Sequence, residues 1–162
     1  MYKAHCMNRI SQAGIDQLYG TFAPAHGIED AEAIMVRSAD MNDLDLPRGL
    51  LAIARAGAGV NNIPLDRCTE QGVVVFNTPG ANANGVKEMV VAGMLLASRD
   101  ILGSTQWVRE HAESPDVAKA AEAAKAQFGG TELAGKTLGV IGLGAIGAMV
   151  ANAGRSLGMH VL

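Results

Sequence analysis

The sequence predicts an α/β fold: a parallel sheet flanked by helices, followed by the opening of a second, glycine-rich α/β unit. Three observations predict it. Short apolar runs, Ala33-Ile-Met-Val36, Leu50-Leu-Ala-Ile-Ala54 and Val73-Val-Val-Phe76, recur between helical segments. Strands that read as continuous apolar runs belong to parallel sheets covered on both faces. A segment at 84–100 is apolar around most of its helical circumference, and Thr137-Leu-Gly-Val-Ile-Gly142-Leu-Gly144-Ala-Ile-Gly147 then begins a new sheet.

Taken in order, 2–7 reads as a short first strand. Residues 10–18 read as a helix, weakened by Gly14, and 20–30 as a loop. The apolar run at 33–36 ends at Arg37-Ser38, and the run at 50–54 ends at Arg55. A helix over 64–71 has proline at its first position and Gly72 as its stop. The run at 73–76 ends at Asn77-Thr-Pro. The helix over 84–100 has Asn82 or Asn84 as its cap and Glu88 in its first turn, with Val86, Met89, Val90, Met94 and Leu95 around its sides. A helix apolar nearly all round is expected to be buried between two bodies. Residues 103–113 read as a further short helix, and 114–127, alanine- and charge-rich, as a weak helix or an exposed loop. The segment 128–135 is a turn-rich lead-in to the strand at 137–141. A helix over 145–157 places Ile146, Met149, Val150, Ala153 and Leu157 at helical spacing, and a second strand begins near Met159.

At 162 residues the chain holds one domain, or one and a fraction. It is 49% apolar and 18% charged, the balance of a packed globular core. A net charge of -3, with no basic run longer than two residues, argues against a nucleic-acid surface. The apolar run at 89–98 is too short to span a bilayer, and the first residues carry no signal-peptide pattern. Cys6 and Cys68 lack metal or redox spacing and read as two reduced thiols of a cytoplasmic protein.

Gly142, Gly144 and Gly147 stand in the G-x-G-x-x-G spacing. The first permits the strand-to-helix turn, the second lets a pyrophosphate approach the backbone, and the third lets helix and strand pack closely. The helix that follows directs its free N–H groups and positive dipole end at the phosphates. With 20 glycines in the chain the spacing alone is weak, and the flanking strand and helix strengthen it. The acidic residue that grips a ribose about 20 positions further on has no counterpart before Leu162.

In parallel sheets, ligands gather outside the carboxyl ends of the strands. Here those ends carry Arg37-Ser38, Arg55-Ala-Gly-Ala-Gly-Val-Asn-Asn62 and Asn77-Thr-Pro-Gly-Ala-Asn82, three polar loops that suggest an anion-binding rim. Ordinary turn geometry accounts equally well for Gly57 and Gly59, and a surface ion pair is the plain alternative for Arg37. His5, His26, His111 and His160 read as structural or solvated, and no metal-ligand spacing is present.

Four stretches together resemble the D-isomer-specific 2-hydroxyacid dehydrogenases. They are Ile34-Met-Val-Arg-Ser-Ala39, Arg55-Ala-Gly-Ala-Gly-Val-Asn-Asn-Ile63, Val75-Phe-Asn-Thr-Pro-Gly-Ala-Asn-Ala83, and Glu132 through the glycine turn to Gly147. The resemblance implies a flavodoxin-like substrate domain, beginning at 1–83, and an inter-domain crossing helix at 84–103. A Rossmann NAD-binding domain would begin at 104–162 and be truncated at the last residue. It implies substrate contacts from Arg37, Ser38, Gly57, Ala58 and Asn82. Cofactor contacts are implied for Ala58, Gly142, Gly144, Ala145, Ile146 and Gly147, with NAD as the cofactor. The implied activity is oxidation of a small 2-hydroxyacid, 3-phosphoglycerate first, with glycerate or lactate as alternatives. An NAD-sensing corepressor-type binding module is the alternative from another class. In the family a histidine base, its glutamate and a carboxylate-gripping arginine do the chemistry. All three are expected beyond this chain, so no catalytic residue is assigned in it and the chain alone is expected to turn nothing over. Ile146, Val150 and Leu157 are expected to leave part of an apolar face uncovered. The resemblance further implies a homodimer or homotetramer of the full-length enzyme, with neither nucleic acid nor membrane as partner.

Overall fold

The computed structural model describes residues 1–18 and 20–162. The chain divides into two compact units, Met1–Asn82 and Ala83–Leu162. The first contains β1 (Tyr2–Cys6), α1 (Gln12–Asp16), β2 (Phe22–Pro24), β3 (Ala33–Val36), β4 (Ala52–Arg55), α2 (Leu65–Gln71) and β5 (Val74–Phe76). Its five strands pair in parallel in the order β2-β1-β3-β4-β5, the flavodoxin-like order.

That order depends on β2, which lies where the sequence pattern assigns a loop. Three residues are too few to show periodicity, and Pro24 argues against a central strand. An edge position accommodates it, because the proline needs no ladder donor on its open side. Pro24 pairs opposite Ala4. The helix expected over 10–18 shortens to Gln12–Asp16, with hydrogen-bonded turns continuing to Leu18.

The two faces of the sheet differ. His5, Ile34, Ile53 and Val75 are cross-strand neighbours on one face. There Ile34 and Ile53 are wholly buried, in a core with Val36, Met41, Leu50, Ile63, Cys68 and Val73. Helix α2 contributes Cys68 to that core and ends at Gly72, whose φ of 74° is the left-handed stop the sequence predicts. The other face carries Ala4, Ala33, Ala52 and Ala54 beside Cys6 and Met35, and at its β5 end Val74 and Phe76 are 53% and 58% exposed. The expectation of full cover on both faces is therefore corrected: among the described residues no strand side chain on that face is fully buried.

The second unit contains α3 (Ala83–Ser98), α4 (Ile101–His111), α5 (Val117–Ala124), β6 (Thr137–Leu138), α6 (Ala145–Ser156) and β7 (His160–Val161). Asp100 caps α4, its Oδ1 accepting from the Gly103 N–H at 2.8 Å. Residues 114–127, left open between helix and loop, form α5 and a 3-10 turn at Lys125–Phe128. β6 and β7 pair in parallel, and the ladder extends one step further through Val140 N–H to the Leu162 carbonyl at 2.8 Å.

Two expectations about burial are corrected here. Met89 on α3 is 71% exposed, so the nearly all-apolar helix is not enclosed, although it packs against α6. Val150 is buried, not uncovered, while Ile146 and Leu157 remain partly exposed as expected. Val150 lies in the middle of α6, one turn from Gly154, where the helix closes on β6. A methyl group at Gly154 would come 2.7 Å from Leu138 Cδ2. Among the described residues no helix is long and apolar enough to cross a membrane.

Candidate functional site

The site of the first unit is built where β3, β4 and β5 end side by side. Parallel pairing in register puts the last residues of the three strands on one edge, so the loops after them emerge together. Arg37, Ser38, Gly57 and Ala58 all lie at that edge.

The β3 loop is held by Asn8, whose Oδ1 accepts the backbone N–H groups of Arg37, Ser38 and Ala39 at 2.9, 3.0 and 3.0 Å. Below it, Asn62 donates its Nδ2 to the Ala39 carbonyl at 2.8 Å, and the Met41 N–H donates to the Asn62 carbonyl at 2.9 Å. Arg37 and Ser38 are exposed, and among the described residues Arg37 has no ion-pair partner. The plain alternative of a surface ion pair therefore has no partner here.

The β4 loop is tied to the β5 loop. The Thr78 N–H donates to the Gly57 carbonyl at 3.0 Å, and Asn77 Nδ2 to the Ala58 carbonyl at 2.8 Å. The Gly57 N–H is occupied, donating to the Arg55 carbonyl at 2.9 Å, while the N–H groups of Ala58 and Gly59 have no intrachain acceptor among the described residues. Ala58 and Gly59 thus leave two open backbone donors at this edge, while that of Gly57 is taken up within the turn. Asn82 is exposed further along, before α3, and no hydrogen bond among the described residues ties its side chain to the β4 loop.

Arg55 opens one of the rim loops the sequence singles out, but no substrate or cofactor contact is expected of it there. Its Nε is buried without a hydrogen-bond partner, and its guanidinium lies over the Gly57 α-carbon: a methyl there would come 1.6 Å from Nη1. A buried cationic donor left unpaired is costly unless a ligand or water completes it. Its position at the end of a strand was the available signal, but arginine is a common surface residue and burial is invisible in sequence.

The second unit carries the glycine turn. Gly142 has a φ of 96°, which favours glycine. A methyl at Gly147 would come 1.9 Å from the Gly142 carbonyl oxygen, so the third glycine is required for helix and turn to approach. At Gly144 nothing lies within 4 Å of where a Cβ would be, leaving the backbone open to an approaching group. No side chain caps the first turn of α6, whose first residues are Ala145 and Ile146. This open glycine surface and uncapped helix start fit a pyrophosphate. The expected strand at 137–141 is shorter, however, and Ile141 at its expected end and Leu143 in the turn are exposed. With a single neighbouring strand, the ladder has nothing to cover them.

Both cysteines are free. Burial pushes the thiols of Cys6 and Cys68 above their ordinary pKa, so neither is an activated nucleophile. Among the described residues no cluster of three His, Cys, Asp or Glu side chains could hold a metal ion.

Comparison with known proteins agrees with this geometry. Residues 20–154 match the family described as D-isomer specific 2-hydroxyacid dehydrogenase, catalytic domain. The chain is 38% identical over 138 residues to the D-3-phosphoglycerate dehydrogenase of Methanocaldococcus jannaschii, covering 83% of this chain and 24% of that protein. It is 36% identical over 138 residues to the hydroxypyruvate reductase of Thermotoga maritima, covering 83% and 42%. The chain thus spans about a quarter of the length of the phosphoglycerate dehydrogenases it matches. Among solved structures, a putative D-isomer specific 2-hydroxyacid dehydrogenase from Polaromonas has the same fold, with a TM-score of 0.81 at 24% identity over 99% of this chain and 54% of that one. The NAD+-bound 3-phosphoglycerate dehydrogenase of Entamoeba histolytica matches with a TM-score of 0.65 at 24% identity, over 99% and 52%. With its flavodoxin-like sheet, its three-loop polar edge and its glycine turn, the chain belongs to the D-isomer-specific 2-hydroxyacid dehydrogenase family.

Proposed function

We propose that this chain supplies the substrate-holding sheet edge and the opening of the cofactor site of an NAD-dependent dehydrogenase that oxidises 3-phosphoglycerate to 3-phosphohydroxypyruvate, the entry to serine synthesis. The supporting observation is the polar edge itself, which brings Arg37 and the partly buried Arg55 together with the free Ala58 N–H. A substrate with a carboxylate at one end and a phosphate at the other needs cationic and backbone donors of that kind. Residues 1–83 would hold the substrate, 84–103 would form the crossing helix, and 104–162 would begin the cofactor domain.

Ala58 would donate its N–H to the carboxylate while the guanidinium groups of Arg37 and Arg55 neutralise the anionic ends. Ser38 would hold a substrate oxygen beside Arg37, and Asn82 would border the same substrate. Gly142, Gly144, Ala145, Ile146 and Gly147 would hold the pyrophosphate of NAD, and Ala58 would lie near its nicotinamide. When bound, NAD supplies the hydride acceptor. Exposed Met89, Leu102 and Val108 on α3 and α4 support association into a homodimer or homotetramer. The free cysteines support a reducing, cytoplasmic setting.

Calorimetric titration of the chain with 3-phosphoglycerate, D-glycerate and D-lactate tests the substrate. The expected result is heat from 3-phosphoglycerate at concentrations where the other two give none. Equal affinity for glycerate would remove the phosphate from the proposal and favour the second reading, a reductase for hydroxypyruvate or glyoxylate. The similarity to the Thermotoga hydroxypyruvate reductase favours that alternative.

A further inference from the structure

The strand order contains a crossover of whose lining the proposed substrate contacts use only Arg37. From β1 the chain runs to β2 on one side, then returns past β1 to β3 on the other. The loops after β1 and β3 therefore diverge, and a crevice opens between them. This is the general location of ligand sites in sheets of this order. Here the crevice has a volume of about 650 Å³, and its walls include Cys6, Asn8, Arg9, Ser11, Gln12 and Arg37.

The local sequence makes this crevice cationic in a chain whose net charge is -3. By accepting three N–H groups from the β3 loop, Asn8 binds the β1 loop to it. Arg9, the next residue, is thereby held on the same crevice as Arg37. Neither arginine has an ion-pair partner among the described residues. No acidic side chain lines the crevice. Gln12, on the crevice wall, donates its Nε2 to Asp16 Oδ1 at 2.7 Å.

We propose that Arg9 and Arg37 form a phosphate subsite at the β1–β3 crossover, with Arg9 the residue that selects phosphorylated over unphosphorylated 2-hydroxyacids. The inference rests on the phosphoglycerate reading and extends it to a residue outside the expected set. Neighbouring strands lie about 4.8 Å apart, so the β1 and β4 ends are about 10 Å apart across β3. That separation suits a ligand whose carboxylate meets Ala58 beyond β4 and whose phosphate lies between the β3 and β1 loops. Ser11 offers a neutral hydroxyl donor on the same wall.

The test is titration of the chain and of its Arg9→Gln, Arg9→Lys and Arg37→Gln variants with 3-phosphoglycerate, D-glycerate and inorganic phosphate. It is followed by calorimetry and by arginine side-chain NMR signals. Arg9 is exposed, so its substitution leaves the fold intact, and circular dichroism verifies this. Loss of one charge-assisted contact is expected to weaken 3-phosphoglycerate about tenfold in Arg9→Gln, with glycerate unaffected and Arg9→Lys intermediate. Full affinity in Arg9→Gln alongside a loss in Arg37→Gln would overturn the subsite and leave the phosphoglycerate reading standing. If 3-phosphoglycerate does not bind at all, that reading fails. Saturable, Arg9-dependent shifts with inorganic phosphate would then still support the subsite, and their absence would overturn it.

Discussion

At the scale of single residues, the site depends on side chains that hold backbone in place. Asn8 makes three hydrogen bonds to the β3 loop through one oxygen. Asn8→Ala is expected to destabilise the chain by about 1–2 kcal/mol, measured by urea denaturation, because the three N–H groups lose a common acceptor. Gly57 has a different role: it leaves room for the Arg55 guanidinium. Gly57→Ala is expected to leave stability within about 0.5 kcal/mol, since a flexible side chain can move aside, yet to weaken anion binding about tenfold. Unchanged affinity in a calorimetric titration would show that Arg55 takes no part. Asp30 accepts from Lys3 Nζ at 2.6 Å, and that hydrogen bond, with the lysine charge, holds its carboxyl below the usual range. With the folded pKa depressed, this contribution is present above the ordinary carboxylate range and lost as pH falls through the lowered value. In Lys3→Met the Asp30 titration followed by NMR is expected to move up to the ordinary carboxylate value.

At the scale of elements, α6 and its turn are tolerant at one glycine and intolerant at another. A methyl at Gly144 meets open space, whereas one at Gly147 meets the backbone oxygen of Gly142 at 1.9 Å. Backbone cannot swing aside as a side chain can. Gly147→Ala is therefore expected to cost roughly 1–3 kcal/mol in urea denaturation. Gly144→Ala is expected to leave stability near the wild-type value while reducing NAD binding; equal losses of stability in both would contradict this division. The sequence spacing named all three glycines and assigned close packing to the third, Gly147, where a methyl would strike the Gly142 carbonyl oxygen. Helix α2 was legible at both ends, through Pro64 and Gly72, because its signals are local. β2 was not legible, because a three-residue edge strand carries no period and its existence depends on pairing with β1.

At the scale of the molecule, the two units rest on different amounts of core. In Met1–Asn82 a single buried cluster centres on Ile34 and Ile53, both wholly buried. Ile53→Ala is expected to cost about 2–5 kcal/mol, read as lost amide-exchange protection across β3 and β4. In the second unit Val150 and Ala124 are buried, while Met89, Leu102, Ile141 and Leu143 stay exposed. The apolar pattern of 84–100 predicted a helix correctly and its enclosure wrongly, since periodicity reports which residues can be buried and not what covers them. By itself the sequence determined the parallel α/β class, the glycine turn and the family, because strand runs, helix stops and loop motifs are each encoded within a few neighbouring residues. Only the tertiary structure decided the five-strand order, the capture of the β3 loop by Asn8, the unpaired Nε of Arg55 and the placing of Arg9 and Arg37 on one crevice. Each of these joins residues distant in the chain, and pairing and burial at that range depend on the whole folded sheet.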